Sequence, residues 1–283
     1  MNENIRKMTK SELFIAVDWA KQEGWNPGLY DADVFWQTDP SGFMALKKDG
    51  KMIGSVSGVS YNGKFGFGGF FIIEPEYRNK GLGTKLVDYL IDNLSSRLKP
   101  GAPIGIDGVF KMQPTYEKWG FIFSHRNLRM ESIAKNYEYS DKIQEITKAD
   151  FKEVNKLDTE CFGFDRTIFL RGWLSLPESK ALKYVDEGKL KGYGVLRKCI
   201  TGYKIGPLFA VNYKVASELF KGLCSYVVGE TVFLDTPEIN KDAIKLAKKY
   251  DMKEMFGCAR MYYGSAPKLP YKKVFGVTSF ELG

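Results

Sequence analysis

A strand, a basic loop and a helix follow one another within residues 65–91, and this order constrains the fold of the chain strongly. The apolar run that ends at Ile73 is typical of a buried strand. Pro75 ends this strand because proline has no N–H group to donate to a sheet. From Thr84 onward, apolar residues recur at the spacing of a helix. The segment is therefore a strand, a loop and the N-terminus of a helix.

The loop between this strand and this helix has the character of an anion site. The first N–H groups of a helix have no partner within the helix, and this end of the helix dipole is positive. Gly81 and Gly83 allow a ligand to approach the backbone closely, and Arg78 and Lys80 add positive charge. We expect the loop to bind a phosphate or a pyrophosphate. The alternative is that the glycines only form a turn into the helix.

The wider pattern is Pro-Glu-Tyr-Arg-x-x-Gly-x-Gly, and it resembles the acyl-CoA loop of the GCN5-related N-acetyltransferases. The resemblance implies that acetyl-CoA is a co-substrate and that the loop holds its pyrophosphate through backbone amides. It assigns this contact to Arg78, Asn79, Lys80, Gly81, Leu82, Gly83 and Thr84. It also implies that the preceding strand pairs with the pantetheine arm of CoA through Phe71, Ile72 and Ile73. The other common phosphate loops, G-x-x-x-x-G-K-[ST] and G-x-G-x-x-G, are absent from the sequence.

Composition narrows the choice of partners. The chain has 283 residues, a prior for two domains, and a net charge of +8 that is spread along the sequence. Such a surface favours anionic ligands, and no nucleic-acid-binding motif is present, so we expect no nucleic-acid partner. We also expect no membrane partner, because the sequence contains neither an apolar signal core at residues 1–4 nor a run of 18 apolar residues. A cytoplasmic protein is the simplest expectation, and the oligomeric state is open.

The residues that most often bind metals are few and scattered. The four cysteines are far apart and form no C-x-x-C pair, which favours reduced thiols and argues against zinc. His125 is the single histidine, and we expect it to be an ordinary surface residue. The sequence therefore predicts no metal site.

Short matches between the two halves of the chain indicate an internal duplication. They recur in the same order at separations of 138, 138, 128 and 131 residues: Ile5 with Ile143, Gly50 with Gly188, Asp107 with Asp235, and Arg129 with Arg260. The second half has no counterpart of the glycine loop. We therefore expect an α/β protein with mixed sheets, built as two tandem domains that each have a mostly antiparallel sheet flanked by helices. The boundaries are residues 1–138 for an acetyl-CoA-binding catalytic domain and residues 139–283 for a degenerate domain with a substrate-binding or structural role.

Two residues are candidates for proton transfer. Tyr116-x-x-x-Gly120-Phe121 matches a segment of the resembled family in which the tyrosine lies beside the CoA sulfur and protonates the leaving thiolate. The alternative is a tyrosine that only packs. No carboxylate lies in the strand before the glycine loop, so Asp107 is the best candidate for the general base. It is also consistent with an ammonium-binding group or a helix cap. Position 247, the counterpart of Tyr116, is alanine, so one catalytic site per chain is expected.

The acceptor pocket in the resembled family is walled by the first helical hairpin. Carried over to this chain, that wall consists of Trp25, Asn26, Asp31, Asp33 and Trp36, and aromatic rings beside acids suit a cationic amine. The alternative is a packed turn with Trp25 buried. The function that follows is N-acetyl transfer from acetyl-CoA to a primary amine, more in keeping with a small-molecule acceptor than with a protein. A non-catalytic acyl-CoA-binding or regulatory protein is the alternative.

Overall fold

A computed structural model describes residues 3–283 of the chain. The first half contains six strands and four helices. The strands are β1 (Glu3–Lys7), β2 (Phe43–Lys48), β3 (Lys51–Tyr61), β4 (Phe65–Ile73), β5 (Ile104–Val109) and β6 (Ile122–Ile133). The helices are α1 (Lys10–Gln22), α2 (Asp31–Thr38), α3 (Leu82–Arg97) and α4 (Gln113–Lys118).

The second half repeats this order of elements and adds one short strand. Its strands are β7 (Ile143–Glu145), β8 (Ser179–Asp186), β9 (Lys189–Lys198), β10 (Tyr203–Ala210), β11 (Thr231–Pro237), β12 (Lys253–Tyr263) and β13 (Val274–Gly276). Its helices are α5 (Phe151–Phe162), α6 (Thr167–Trp173), α7 (Tyr213–Ser225) and α8 (Lys241–Lys249). None of the helices in residues 3–283 combines the length and the apolar character that crossing a membrane requires.

All the strands join one continuous mixed sheet, which is mostly antiparallel. Its order is β1-β2-β3-β4-β5-β12-β6-β11-β10-β9-β8-β7, with β13 added beside β10. Only β4–β5 and β10–β11 are parallel pairs among the described strands. The sequence predicted a mostly antiparallel sheet in each half, and the structure joins the two sheets into one through exchanged strands.

The halves are joined because they exchange strands. β12, from the second half, pairs with β5 of the first half, and β6 of the first half pairs with β11 of the second half. β6 and β12 also pair with each other at the centre of the sheet. Each half therefore lacks its last strand unless the other half supplies it.

The exchange explains two of the repeated sequence matches. Arg260 on β12 lies opposite Asp107 on β5, and Arg129 on β6 lies opposite Asp235 on β11. Both arginines form two-pronged ion pairs with both carboxylate oxygens of their partners, over distances of 2.6–2.8 Å. The repeated Asp and Arg positions are thus two equivalent buried bridges between the halves.

Helices cover both faces of the sheet. Strand residues alternate between the faces, so Phe43 and Ala45 of β2 join the apolar cluster formed with α1, α2, α5 and α6, whereas Met44 and Leu46 join the cluster under α3. A third cluster lies under α7 and α8. The first of these clusters contains residues from both halves, and buried Asp31 accepts a hydrogen bond from Arg197 Nε (3.0 Å) across it.

Candidate functional site

A cavity of about 600 Å³ opens where β4 and β5 separate. Its walls come from these two strands, the start of α3, α4, β12 and the segment 277–283. The two strands that open to form the cavity thus come from the first half, and the second half supplies part of the wall.

The separation of the strands begins at a bulge in β4. β4 pairs with β5 only at Gly66, Phe67 and Gly68. Its register with β3 shifts between Ser55 and Ser57, and Phe70 opposite the shift has a φ of 45°. This conformation is rare for a bulky residue, and here the Ser55 hydroxyl donates to the Phe70 carbonyl (2.7 Å). Beyond the bulge, the edge of β4 that contains Phe71, Ile72 and Ile73 has no pairing with β5.

The glycine loop leads directly into α3. Gly81 precedes the helix with a φ of 76°, a left-handed conformation that glycine adopts without strain. The backbone N–H groups from Asn79 to Thr84 donate no hydrogen bond to any other group in residues 3–283. Gly83 lies against the Phe71 ring, where an added Cβ would be 3.1 Å from Cζ. The loop is thus a set of free amides at a helix N-terminus, as an anion site requires.

The side chains of the loop are arranged differently from the expectation. Arg78 Nε donates to the Ile73 carbonyl (2.8 Å), and another nitrogen of the same guanidinium donates to the Glu23 carboxylate. Lys80 donates to the Glu76 carbonyl (2.7 Å), and Leu82 is buried in the core. Most of the anion-binding capacity of this loop therefore lies in its backbone.

Tyr116 lies beside the free edge of β4. Its ring packs over Gly108 of β5, where a Cβ would come within 2.2 Å of Cε2, and it also contacts the Phe71 ring at 6.5 Å between centroids. Its hydroxyl makes no hydrogen bond within residues 3–283, although the residue is buried and lines the cavity. Burial raises the pKa of Tyr116, so the phenol retains its proton at neutral pH.

The geometry argues against the base role expected for Asp107. Oδ1 accepts hydrogen bonds from Asn127 Nδ2 (2.8 Å) and Arg260 Nε (2.8 Å), and Oδ2 accepts one from Arg260 (2.6 Å). Its side chain has no solvent exposure. Both carboxylate oxygens are occupied by donors, so an acceptor amine would have to displace Arg260 or Asn127 to reach them.

The residues expected to wall the acceptor pocket are dispersed. Trp25 lines the cavity, and its carbonyl accepts a hydrogen bond from Arg129 (2.7 Å). The other four lie elsewhere: Asn26 is hydrogen-bonded to the backbone of Thr201, Asp31 to Arg197, Asp33 pairs with Lys10 at the surface, and the Trp36 ring packs on Phe43. The first hairpin is therefore mainly an interface with the second half.

His125 is not a surface residue, and that prediction was wrong. It is 4% exposed, and its ring packs edge-on against Tyr271 at 4.8 Å between centroids. The residue lies on β6, which the strand exchange places inside the sheet. Burial, assisted by the positive charge of Arg260, lowers the pKa of His125 to about 3.

Residues of the second half complete the cavity, and sequence reasoning missed them. Phe256 and Cys258 come from β12, and Phe280 and Glu281 come from the segment 277–283. Burial raises the pKa of Cys258 well above its usual range, so this thiol is not a ready nucleophile. The available signal was weak: Glu281 is the one charged residue in the otherwise apolar or small run from Val274 to Leu282.

The corresponding gap in the second half is filled by the chain itself. β10 and β11 pair only at Tyr203–Ile205 and then separate, as β4 and β5 do. β13 pairs with β10 through Leu208 and Phe209 inside this gap, and Val277 N donates to the Asp235 carbonyl of β11 (2.8 Å). Ala247, the counterpart of Tyr116, is fully buried.

Comparison with known sequences gives the same family for both halves. Residues 10–121 match the sequence model of the Acetyltransferase (GNAT) family, and residues 154–276 match that of the Acetyltransferase (GNAT) domain. A holothin acyltransferase from Pseudoalteromonas sp. (strain SANK 73390) is 30% identical over 275 residues, which cover 96% of this chain and 92% of that protein.

Solved structures share the fold at low sequence identity. A proposed acetyltransferase from Pyrococcus horikoshii superposes with a TM-score of 0.84 at 20% identity, covering 99% of this chain and 96% of that chain. A tandem GNAT protein from the clavulanic acid biosynthesis pathway gives a TM-score of 0.64 at 11% identity, covering 94% of this chain and all of that chain.

Proposed function

The chain belongs to the GNAT acetyltransferase family, and from this premise we propose that it transfers an acetyl group from acetyl-CoA to a primary amine of a small molecule. The observation that carries the proposal is the cavity between β4 and β5, which has free loop amides at one end and the Tyr116 hydroxyl on its wall. The amine attacks the thioester directly within a ternary complex.

Three parts of the cavity match three parts of acetyl-CoA: the pyrophosphate, the pantetheine arm and the thioester. The amides from Asn79 to Thr84 are free to donate hydrogen bonds to a pyrophosphate, and the open space beside Gly81 leaves room for it. The unpaired edge of β4 at Phe71–Ile73 offers backbone partners for the amides of a pantetheine arm. The aromatic residues around Tyr116 then enclose the thioester end.

Tyr116 would supply the proton for the leaving thiolate. Its hydroxyl lies at the wall of the cavity and has no competing partner in the described chain, so it is free to donate its proton to the sulfur as the C–S bond breaks. Loop contacts hold the CoA moiety in the ground state and in the transition state alike, so they set affinity, whereas Tyr116 acts mainly on kcat.

The limited volume of the cavity favours a small acceptor over a protein side chain. About 600 Å³ must hold the pyrophosphate and pantetheine arm, the acetyl group and the acceptor. The similarity to a holothin acyltransferase supports acyl transfer and leaves the length of the acyl group open. Turnover of acetyl-, butyryl- and hexanoyl-CoA would show which acyl length the protein transfers, and we expect acetyl-CoA to be preferred.

Titration calorimetry with acetyl-CoA tests the proposal. We expect one site per chain, and we expect Gly81→Glu to weaken binding at least 100-fold because it places bulk and negative charge among the loop amides. Gly188→Glu is the matched control: Gly188 also has a positive φ (69°) and an open side, but it lies in the β8–β9 turn outside the cavity.

Turnover separates the enzyme from a protein that only binds acyl-CoA. Release of the CoA thiol with primary amines should require the amine and should be lost in Gly81→Glu. Binding without turnover of any amine would support the non-catalytic alternative. Absence of acetyl-CoA binding in the unmodified protein would overturn both.

A further inference from the structure

Three carboxylates line the cavity, and only one of them is without a partner. Glu23 accepts a hydrogen bond from Arg78, and Asp107 is paired with Arg260 and Asn127. Glu281 is 3% exposed, yet its carboxylate makes no hydrogen bond or ion pair with any group in residues 3–283. A carboxylate without a protein partner in a cavity wall is open to a ligand that supplies a hydrogen-bond donor.

The backbone around Glu281 lies at the point where β4 leaves β5. A Cβ added to Gly69 would be 2.2 Å from the Glu281 carbonyl oxygen and 3.1 Å from its Cα. Gly69 immediately precedes the bulge at Phe70. The segment 277–283 therefore crosses the first half at the gap that the proposed function assigns to the thioester.

This segment is fixed in place by bonds to both halves. Arg166 donates to the Thr278 hydroxyl (2.8 Å) and to the Gly283 carbonyl (3.2 Å), and Tyr61 donates to the Leu282 carbonyl (2.7 Å). Arg166 itself is fully buried and paired with Asp158. A side chain on such an anchored segment is held in one position, as a group that binds or deprotonates a substrate must be.

We infer that Glu281 binds the acceptor amine and accepts its proton, so that the second half of the chain supplies the base for the site in the first half. This inference rests on the proposed function and extends it. The rings of Trp25, Phe256 and Phe280 line the same cavity and suit an amine carried on an apolar or aromatic body.

The step balances with Glu281, Tyr116 and solvent water. The acceptor ammonium first gives one proton to Glu281, which releases it to water. The neutral amine nitrogen then forms a C–N bond to the thioester carbonyl carbon, and Glu281 takes the second proton that this nitrogen gives up. The C–S bond breaks, and the CoA thiolate takes a proton from Tyr116. Water then carries the second proton from Glu281 and restores the phenol of Tyr116.

A purely structural role for Glu281 makes a different prediction. Its negative charge acts on Arg129, Arg197 and Lys204, which lie in the buried interface behind the cavity. Asp31 and Asp235 are the other acids facing this group of cations. If Glu281 served only to balance them, its loss would lower stability and would affect activity equally at every pH.

The pH dependence of Glu281→Gln decides between the two roles. The probes are n-butylamine, 2-phenylethylamine and tryptamine, with acetyl-CoA as donor. At pH 7 we expect kcat/KM for the amine to fall at least 100-fold. The deficit should shrink as the pH approaches the pKa of the amine, because the free amine has already lost the first of the two protons that Glu281 would remove. Acetyl-CoA affinity should change less than threefold.

Glu160→Gln is the matched control, since it removes a carboxylate of the second half that pairs with Lys273 outside the cavity. It should retain full activity. Turnover by Glu281→Gln within threefold of the unmodified protein, or a deficit that is constant from pH 6 to pH 10, would overturn the inference while leaving the proposed function intact. If the unmodified protein binds acetyl-CoA but acetylates none of the three amines, the inference and the amine-transfer proposal are both overturned.

Discussion

β4 and β5 separate after Gly68 in the first half of the sheet, and β10 and β11 separate after Ile205 in the second half. In both gaps a strand edge loses its parallel neighbour, and backbone groups at a buried edge need other partners. In the second half, β13 of the same chain supplies them. In the first half the gap is a cavity, and we propose that the pantetheine arm of CoA supplies them. The same fold thus leaves one gap open as a cavity and closes the other with its own polypeptide.

The closure of the second gap also shapes the first site. The chain that forms β13 continues directly into residues 277–283, which cross to β4 and line the cavity there. A segment that fills one gap therefore helps to build the wall of the other. This continuity gives the second half a physical reason to retain its fold without a glycine loop of its own.

We expect the largest effect from breaking the two ion pairs between the exchanged strands, because this should lower the stability of the fold. Asp107→Asn and Asp235→Asn each leave a buried arginine without its counter-charge, which destabilises a protein by about 3–5 kcal/mol. Burial opposes ionisation of Asp235, but Arg129 outweighs it, and the pKa of Asp235 is lowered.

Urea denaturation of the two variants measures this effect. The two ion pairs occupy equivalent positions in the strand exchange, so we expect the two variants to lose similar amounts of unfolding free energy. We also expect a single unfolding transition, because the two halves share one sheet. Two separate transitions would contradict the strand exchange. If Asp107→Asn alone lowered the free energy of unfolding by less than about 1 kcal/mol, the two ion pairs would not be equivalent.

Removal of the Tyr116 hydroxyl should have the next largest effect. Tyr116→Phe keeps the ring over Gly108 but removes the proposed acid, so we expect kcat to fall about 100-fold with little change in acetyl-CoA affinity. Tyr250→Phe is the control in the second half, where the hydroxyl bonds to Ser217 in the buried core. It should leave kcat unchanged, and equal losses in both variants would remove the acid role of Tyr116.

The smallest effect concerns the single histidine, which lies on the exchanged strand β6. Its folded pKa of about 3 lies below the unfolded value near 6.5, so the folded state favours the neutral ring. The stabilising contribution is complete above pH 6.5 and is lost as the pH falls, by up to about 1.4 kcal/mol per pH unit.

Between pH 6.5 and pH 5, most carboxylates remain ionised, so the slope reports mainly His125. His125→Gln should flatten the dependence of the free energy of unfolding on pH in this range. A slope that persists unchanged in the variant would contradict the assignment.

Local signals along the chain predicted much of the first half. The apolar run 65–73, the turn chemistry at Pro75 and the helical spacing after Thr84 correspond to β4, the loop and α3. These signals are reliable because each depends on residues a few positions apart. Family membership followed from the same local motif, together with Tyr116 and Gly120.

Local sequence patterns predicted the candidate base and the acceptor-pocket residues less well than they predicted the fold. Asp107 had the sequence position of a base, but the strand exchange placed Arg260 against it. Asn26 and Asp31 had the position of acceptor contacts, but the interface with the second half engaged both. In each case the competing partner lies more than 100 residues away in the chain, beyond the reach of any local pattern.

The sequence by itself determined the order of the elements, the duplication and the glycine loop before α3, because short-range periodicity and glycine placement depend on neighbouring residues. Only the tertiary structure decided that β6 and β12 change places, that β13 fills the second gap and that Glu281 reaches the first. These outcomes depend on hydrogen bonds between buried strand edges and on ion pairs between residues that are far apart in the chain. No single segment of the sequence contains both partners, so no local pattern predicts them.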